Sequence, residues 1–207
     1  MRAKKKVLLL GPAPPYRGGI ADTQNYLAQN ISRLGHEVLV FTFKYQYPKL
    51  LFPGKTQYSS IPAPKGINIK RKVHSINPLN WIKTSNEINQ YDPDIVLFRY
   101  WTPFLAPCWN WISKRLSSNI KKIAVVDNWI PHERKPWDYI LNDLFGKRMD
   151  AFVTLSKAVS DEIEVDKPNT HIWSGFHPIG ENLPDIISKA QARKKLGWSN
   201  EKKIVLF

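Results

Sequence analysis

The chain alternates short runs of Val, Ile and Leu with longer segments whose apolar residues recur at helical spacing. Short apolar runs are typical of buried strands, and a 3.6-residue period is typical of amphipathic helices. Strands that alternate with helices predict a parallel sheet with crossover helices packed on it. We therefore expect a Rossmann-like three-layer α/β domain with a mostly parallel sheet. The predicted strands are Lys6–Leu10, Glu37–Phe43, Ile67–Lys70, Ile95–Phe98, Lys122–Val126 and Ala151–Leu155, and the predicted helices are Gly19–Leu34, Leu79–Gln90, Pro103–Leu116, Trp137–Lys147, Lys157–Val165 and Ser188–Leu196.

Two segments depart from this alternation. Residues 44–66 are rich in proline and tyrosine, which predicts a long loop. Near the other end, a charged turn precedes the apolar run Ile204–Phe207, which is typical of a buried strand. We therefore expect residues 1–200 to form one domain and residues 201–207 to begin a C-terminal domain that the chain lacks.

The composition narrows the class of protein and of partner. A hydrophobic fraction of 43% excludes a disordered chain, because so much apolar surface can offset the entropy of ordering. The net charge of +14 indicates an anionic partner, such as nucleic acid, anionic lipid or a phosphorylated substrate. The basic residues are dispersed in short groups, however, so a solvated basic face accounts for most of them.

Cysteine content and apolar run lengths bear on the compartment. The only cysteine, Cys108, excludes an internal disulfide, and its neighbours Pro107 and Trp109 favour a buried thiol over a nucleophile. The run Val7–Leu10 is too short for a signal peptide, and no run reaches the roughly 18 residues that a membrane helix needs. We expect a cytoplasmic protein whose membrane contact, if any, is peripheral, at the inner face of the plasma membrane.

The first candidate site is the loop between the first strand and the first helix. Its glycines Gly18 and Gly19 let a ligand approach the backbone, and the helix N-terminus offers N–H groups to a phosphate. The spacing matches neither the dinucleotide-binding glycine fingerprint nor a Walker loop. On this local evidence a plain tight turn explains the glycines equally well.

Polar residues after the later strands form the second candidate site, because ligands of parallel α/β sheets bind outside the carboxyl ends of the strands. Asp127 can hold a sugar hydroxyl or act as a base, and His132 can meet a phosphate. The alternative is that Asp127 and Asn128 cap the next helix or turn. Arg99 suits an anion, and Ser156 is either a helix N-cap or a hydroxyl in the same cleft. Metal-ligand motifs are absent, so we expect no metal.

Together these motifs resemble the N-terminal half of family 4 glycosyltransferases, and the ordered set covers nearly the whole chain. The matching segments are the Gly18-Gly19 loop, Leu34–Val38, Asp92–Val96, Asn128–Glu133, Phe152–Ser156 and Phe176–Ile179. The resemblance implies the N-terminal half of a GT-B fold in a retaining enzyme that uses a nucleotide-sugar, without a catalytic metal or other cofactor.

The resemblance also implies a division of labour between two domains. The N-terminal domain holds the acceptor, a glycan or lipid-linked sugar of cell-envelope or exopolysaccharide synthesis, and the donor diphosphate lies near Gly18 and Gly19. The missing second domain grips the donor, so the chain alone would be inactive. The residues placed around the acceptor are Arg99, Asn128, His132, Glu133 and Ser156.

One position departs from the family pattern. Relatives that share the Asn-x-x-Pro-His-Glu motif usually carry histidine before the asparagine, whereas this chain has Asp127. We assign Asp127 as the catalytic candidate, and its carboxylate either takes a different role or alters the activity. Two alternatives stay open, a basic nucleic-acid-binding domain and a non-catalytic sugar-binding protein. Because no recognition motif is present, we expect no specific nucleic acid partner.

Overall fold

The computed structural model describes residues 3–48, 58, 66–131, 133–177 and 185–205. Within them the chain forms strands and helices in the alternating order that the sequence predicts. The strands are β1 Lys6–Leu10, β2 Glu37–Tyr45, β3 Asn68–His74, β4 Ile95–Tyr100, β5 Lys121–Val126, β6 Ala151–Thr154 and β7 Ile172–Ser174; the helices are α1 Gly19–Arg33, α2 Pro78–Tyr91, α3 Ala106–Arg115, α4 Asp138–Gly146, α5 Lys157–Asp166 and α6 Lys189–Leu196.

The seven strands form one sheet in the order β3-β2-β1-β4-β5-β6-β7, and every pairing is parallel. Strand β1, beside the middle strand β4, pairs Leu8 with Leu39 on one side and with Val96 on the other. The strand order therefore reverses between β1 and β4. In open parallel sheets the loops diverge at such a switch point and leave a crevice for a ligand. The predicted Rossmann-like fold is confirmed.

Strand β1 shows why the core sits where it does. Four of its five residues are buried, which matches a central strand covered on both faces. The larger core cluster lies on the side of the sheet that carries Phe98, and Tyr100 stacks on Phe145 with ring centroids 4.2 Å apart. The Tyr100 hydroxyl donates to Asn142 Oδ1 at 2.6 Å, since burial raises its pKa well above the usual range and keeps it protonated. These contacts anchor α4 to the end of β4.

Local chain chemistry explains the helix boundaries. The Asn77 side chain accepts hydrogen bonds from the N–H groups of Leu79 and Asn80, and Pro78 occupies the first helical position of α2. Gly35 follows α1 with φ of +89°, the left-handed conformation that glycine adopts most easily after a helix. The sequence signals for both helices are therefore confirmed to within one or two residues.

The structure departs from the sequence predictions in two places. Strand β7 is absent from those predictions, because three residues with Trp173 and Ser174 exposed show no apolar period. The helix predicted to begin at Pro103 begins instead as a 3₁₀ turn, Pro103–Leu105, that leads into α3. Residues 203–205 join no strand and Val205 is 81% exposed; residues 206 and 207 lie outside the described part of the chain, so the strand at 204–207 and the domain it would begin stay predictions.

Part of the long loop predicted at 44–66 is described. Strand β2 continues to Tyr45, and Tyr58 forms an antiparallel bridge with Tyr16; residues 49–57 and 59–65 lie outside the described part. None of the helices in the described ranges is long and apolar enough to cross a membrane.

Candidate functional site

The candidate site lies at the carboxyl ends of β1, β4 and β5, on both sides of the switch point. Arg99 is the fifth residue of β4, and Asp127 follows the last residue of β5. Their strands are neighbours in register, since Arg99 lies opposite Val125. The two opposite charges that the sequence places on separate strand ends are therefore brought together.

Arg99 and Asp127 form a buried, two-point ion pair. The Arg99 Nε donates to Asp127 Oδ2 at 2.6 Å, and one terminal nitrogen donates to Oδ1 at 2.5 Å. The Arg99 side chain is 1% exposed and that of Asp127 is 11% exposed. A planar guanidinium and a carboxylate match in this arrangement, so the pair fixes the orientation of both groups.

The ion pair is also tied to the first helix. The same terminal nitrogen of Arg99 donates to Thr23 Oγ1 at 2.9 Å, and the Thr23 hydroxyl lies 2.8 Å from the Gly19 carbonyl oxygen, to which it can donate. A chain of polar contacts thus runs from the N-terminus of α1 through β4 to Asp127. Asp127 does not cap α4, which begins only at Asp138, so the capping alternative fails for that helix.

The loop after β1 approaches β4 so closely that only glycine fits at its start. A Cβ on Gly11 would lie 2.6 Å from Arg99 Cβ and 2.7 Å from Gln24 Nε2. The loop is held to β2 because the Ala13 N–H donates to Thr42 Oγ1 at 2.9 Å. This packing makes Gly11 a positioning residue of the site, and its place directly after the strand is its only signal in the sequence.

The end of the same loop is open. Gly18 has φ of +113°, and a Cβ added to it would meet no heavy atom within 4 Å; the space beside Gly19 is equally open. Gly18 is the N-cap of α1 and supplies no side-chain oxygen to the first turn. Free backbone N–H groups at a helix N-terminus attract anions. The predicted phosphate role of Gly18 and Gly19 fits this geometry and stays a prediction.

A cavity of about 460 Å³ opens at the same edge of the sheet, between the segments that follow β4 and β5. Aromatic rings and polar groups share its wall. Burial raises the pKa of Tyr47 in this wall, so its hydroxyl is protonated, and it bonds to the Trp101 indole N–H. Most of the residues that line the cavity were not predicted from the sequence, because their only signal there is that they follow the ends of strands. The lining includes Tyr47, Thr102, Phe104, Glu133, Lys135 and Trp137.

The remaining candidate residues are dispersed along the same edge. Glu133 lines the cavity. Asn128 directly follows Asp127 in the sequence and is exposed. Ser156 is the N-cap of α5 by its backbone angles, but its side chain makes no capping bond and lines a second cavity of about 610 Å³. His132 lies outside the described residues. The structure thus unites Arg99 with Asp127 but places Ser156 in another cavity.

Metal and thiol chemistry gain no support from the described ranges. No group of three or more His, Cys, Asp or Glu side chains in them is placed to hold a metal ion. Cys108 is buried as predicted, and burial raises the pKa of its thiol well above the usual range. A buried, protonated thiol is a poor nucleophile.

Comparison with known proteins bears on the whole domain. A family model described as Glycosyltransferase Family 4 matches residues 17–173, about three quarters of the chain. No curated protein matches the sequence significantly. The family match therefore spans Gly18 and Gly19, the ion pair and the residues that line the 460 Å³ cavity.

Solved structures share the fold at low sequence identity. HepE of Anabaena in complex with UDP superposes with a TM-score of 0.60 at 14% identity, over 93% of this chain and 50% of that one. An alpha-glucosyltransferase in complex with UDP gives 0.56 at 12% identity, over 85% and 45%. The chain thus spans half or less of the length of these structures, and at such identities the likeness concerns the fold alone.

Proposed function

The chain belongs to glycosyltransferase family 4, and we propose that it forms the acceptor-binding half of a retaining, metal-independent enzyme that uses a nucleotide-sugar. One observation carries the proposal. The family match coincides with a carboxyl edge that brings together a glycine loop, a buried Arg99–Asp127 pair and a cavity. Ligand-binding groups of parallel α/β domains gather at this edge.

For the donor, we propose that its diphosphate lies against the open N-terminus of α1 at Gly18 and Gly19. Backbone N–H groups and the helix dipole favour negative charge there. Two fold relatives are described as complexes with UDP or UDP-glucose, which supports a nucleotide-sugar as the donor. No further cofactor is needed for such a transfer.

For Asp127, we propose a positioning role rather than that of a free base. Both of its carboxylate oxygens accept from Arg99, which in turn contacts Thr23 on α1. A two-point pair of this kind fixes the orientation of the carboxylate. Through Arg99 and Thr23, Asp127 then holds the glycine loop in a fixed position relative to β4. Relatives usually carry histidine in place of Asp127.

For the acceptor, we propose a glycan or lipid-linked sugar bound in the 460 Å³ cavity. Aromatic rings such as Trp137 and Phe104 can pack on the apolar faces of a sugar ring. The Glu133 carboxylate accepts hydroxyl hydrogen bonds, and the Lys135 ammonium donates to oxygen atoms. Asn128 and His132 belong to the same segment and extend this set; Ser156 would contact a more distant part of the acceptor.

We propose further that transfer requires a second domain that holds the nucleotide. The related structures are about twice as long as this chain, which supports such a partner. The 207-residue chain incubated with UDP-glucose is therefore expected to release no UDP beyond the uncatalysed rate. A coupled assay for free UDP measures this, and multiple turnover by the isolated chain would contradict the proposed division of labour.

The phosphate role of the glycine loop can be tested with Gly19→Ala. A Cβ at Gly19 meets no heavy atom within 4 Å, so the thermal midpoint should stay unchanged. The same methyl group would obstruct a phosphate at the backbone N–H groups. Because the nucleoside is assigned to the proposed second domain, we expect this chain to bind UDP weakly, through its diphosphate alone. Loss of one charge-assisted hydrogen bond then predicts about tenfold weaker binding still. NMR titration of the chain with UDP measures the affinity.

The matched control is Gly35→Ala at the other end of α1. Gly35 has φ of +89°, so this change strains the backbone and lowers stability, but it should leave the UDP affinity unchanged. Equal UDP binding by Gly19→Ala and the parent chain would remove the glycine loop from the donor site.

A further inference from the structure

Gln24 on α1 carries a buried amide whose nitrogen has no hydrogen-bond partner among the described residues. The residue is 2% exposed, and its Nε2 atom is shielded from solvent without a bond to any acceptor. A buried donor in this state costs free energy, because it has left water and gained no acceptor. Buried polar groups are almost always satisfied, so this amide is a candidate for contact with a ligand.

The Gln24 amide lies at the start of the glycine loop. A Cβ on Gly11 would lie 2.7 Å from Gln24 Nε2 and 3.1 Å from its Oε1, so the amide packs directly on the Gly11 backbone. The same Cβ would lie 2.6 Å from Arg99 Cβ, which places the amide beside β4 as well. Gly11 directly follows β1, and the strand order reverses between β1 and β4. Gln24 therefore lies at the switch point, where parallel sheets bind their ligands.

The groups around the Gln24 amide are mostly hydrogen-bond donors. The Nε and Nη2 atoms of Arg99 bond to Asp127 and to α1, and its Nη1 atom donates to no residue in the described part of the chain. Side chains on a helix lean towards its N-terminus, which in α1 is the open end of the glycine loop at Gly19. The Arg99–Asp127 pair is neutral as a whole, so the attraction for an anion comes from oriented N–H groups and the helix dipole. Such a set of donors fits phosphate oxygens.

From this placement we infer that the Gln24 amide donates a hydrogen bond to an oxygen of the donor's diphosphate. The side chain is long and unbranched, so its nitrogen can turn from the Gly11 backbone towards a phosphate at the open end of the loop. The amide then gains on binding the partner that it lacks in the unbound chain, and the bond to a charged oxygen is a strong one. This inference rests on the proposed function, because it adds a side-chain contact to the diphosphate placed at Gly18 and Gly19.

Gln24→Met tests the inference, because methionine keeps the unbranched shape of glutamine but has no N–H group. NMR titration with UDP and with inorganic pyrophosphate should show about tenfold weaker binding of each, the loss of one hydrogen bond to a charged group. The urea midpoint of the same variant should rise, since an unsatisfied buried donor is removed. A glutamine with a purely structural role would give the opposite results, a lower midpoint and unchanged affinities.

The matched control is Asn25→Leu, at the next position of α1. Asn25 also carries a buried atom without a partner among the described residues, its Oδ1. Successive helical residues point about 100° apart, and an unpartnered oxygen cannot donate to phosphate. Asn25→Leu should therefore leave the affinities for UDP and pyrophosphate unchanged.

Three results would overturn the inference. They are parent-like binding of both probes by Gln24→Met, equal weakening by Asn25→Leu, and a loss confined to UDP, which would place the contact on the nucleoside. Gly19→Ala in the same titrations separates this inference from the proposed function. Weaker binding by Gly19→Ala with unchanged binding by Gln24→Met removes the Gln24 contact alone. A parent chain that binds neither probe removes the donor site and this contact together.

Discussion

Asp127→Ala is expected to lower the free energy of unfolding by about 3–5 kcal/mol, the cost of leaving one partner of a buried ion pair uncompensated. The Arg99 side chain is 1% exposed and, among the described residues, keeps only its bond to Thr23 once the carboxylate is gone. An arginine cannot escape by losing its proton. Urea denaturation at neutral pH, followed by circular dichroism, measures the loss.

Two further variants distinguish the effect of breaking the buried ion pair from the effect of losing a surface charge. Arg99→Met/Asp127→Leu removes both charges and should recover much of the stability lost in Asp127→Ala, because no unpaired charge remains buried. Asp161→Ala, the control, breaks the exposed Lys157–Asp161 pair on α5 and should change the stability little. A double variant as unstable as Asp127→Ala would contradict the assignment of the cost to an unpaired guanidinium.

The Arg99–Asp127 pair shows which features of the site can be predicted from the sequence and which cannot. Arg99 and Asp127 each follow a strong apolar run, so periodicity alone predicts their placement at the carboxyl edge. That they touch depends on β4 and β5 being neighbours in register, which is a long-range property. The contact of Arg99 with Thr23 joins residues far apart in sequence through the packing of α1. No local pattern encodes such a contact.

The cavity and strand β7 mark where sequence reasoning fails. Tyr47 and Lys135 come from segments without a regular period, and Trp137 lies at the start of a predicted helix; only the folded sheet brings the three to one wall. Strand β7 has three residues, too few to show an alternation, and forms by pairing with the outer edge of β6. Strong periodic elements are therefore predicted well, whereas the site wall is not, because it depends on how loops pack.

Gly11→Ala is expected to lower the free energy of unfolding by about 3 kcal/mol, because the added methyl group overpacks the contact between the first loop and β4. The added methyl group would lie 2.6 Å from Arg99 Cβ, which is fixed to the backbone of β4 and cannot turn away. The first loop must then move away from β4, which separates Thr23 from Arg99 and loosens the Arg99–Asp127 pair. The change should therefore also weaken UDP binding, in contrast to a purely structural substitution. Urea denaturation and UDP titration measure both effects.

Two other glycines of the loop supply the controls for Gly11→Ala. Gly18→Ala adds a methyl group with no heavy atom within 4 Å, so only its φ of +113° costs stability, about 1–2 kcal/mol. Gly19→Ala has neither penalty. Stability should therefore fall in the order Gly19→Ala, Gly18→Ala, Gly11→Ala. The first change meets no constraint, the second strains the backbone conformation, and the third brings the new methyl group against β4. If Gly11→Ala were as stable as Gly19→Ala, the loop could move away from Arg99 at no cost. The glycine loop would then not be coupled to Asp127.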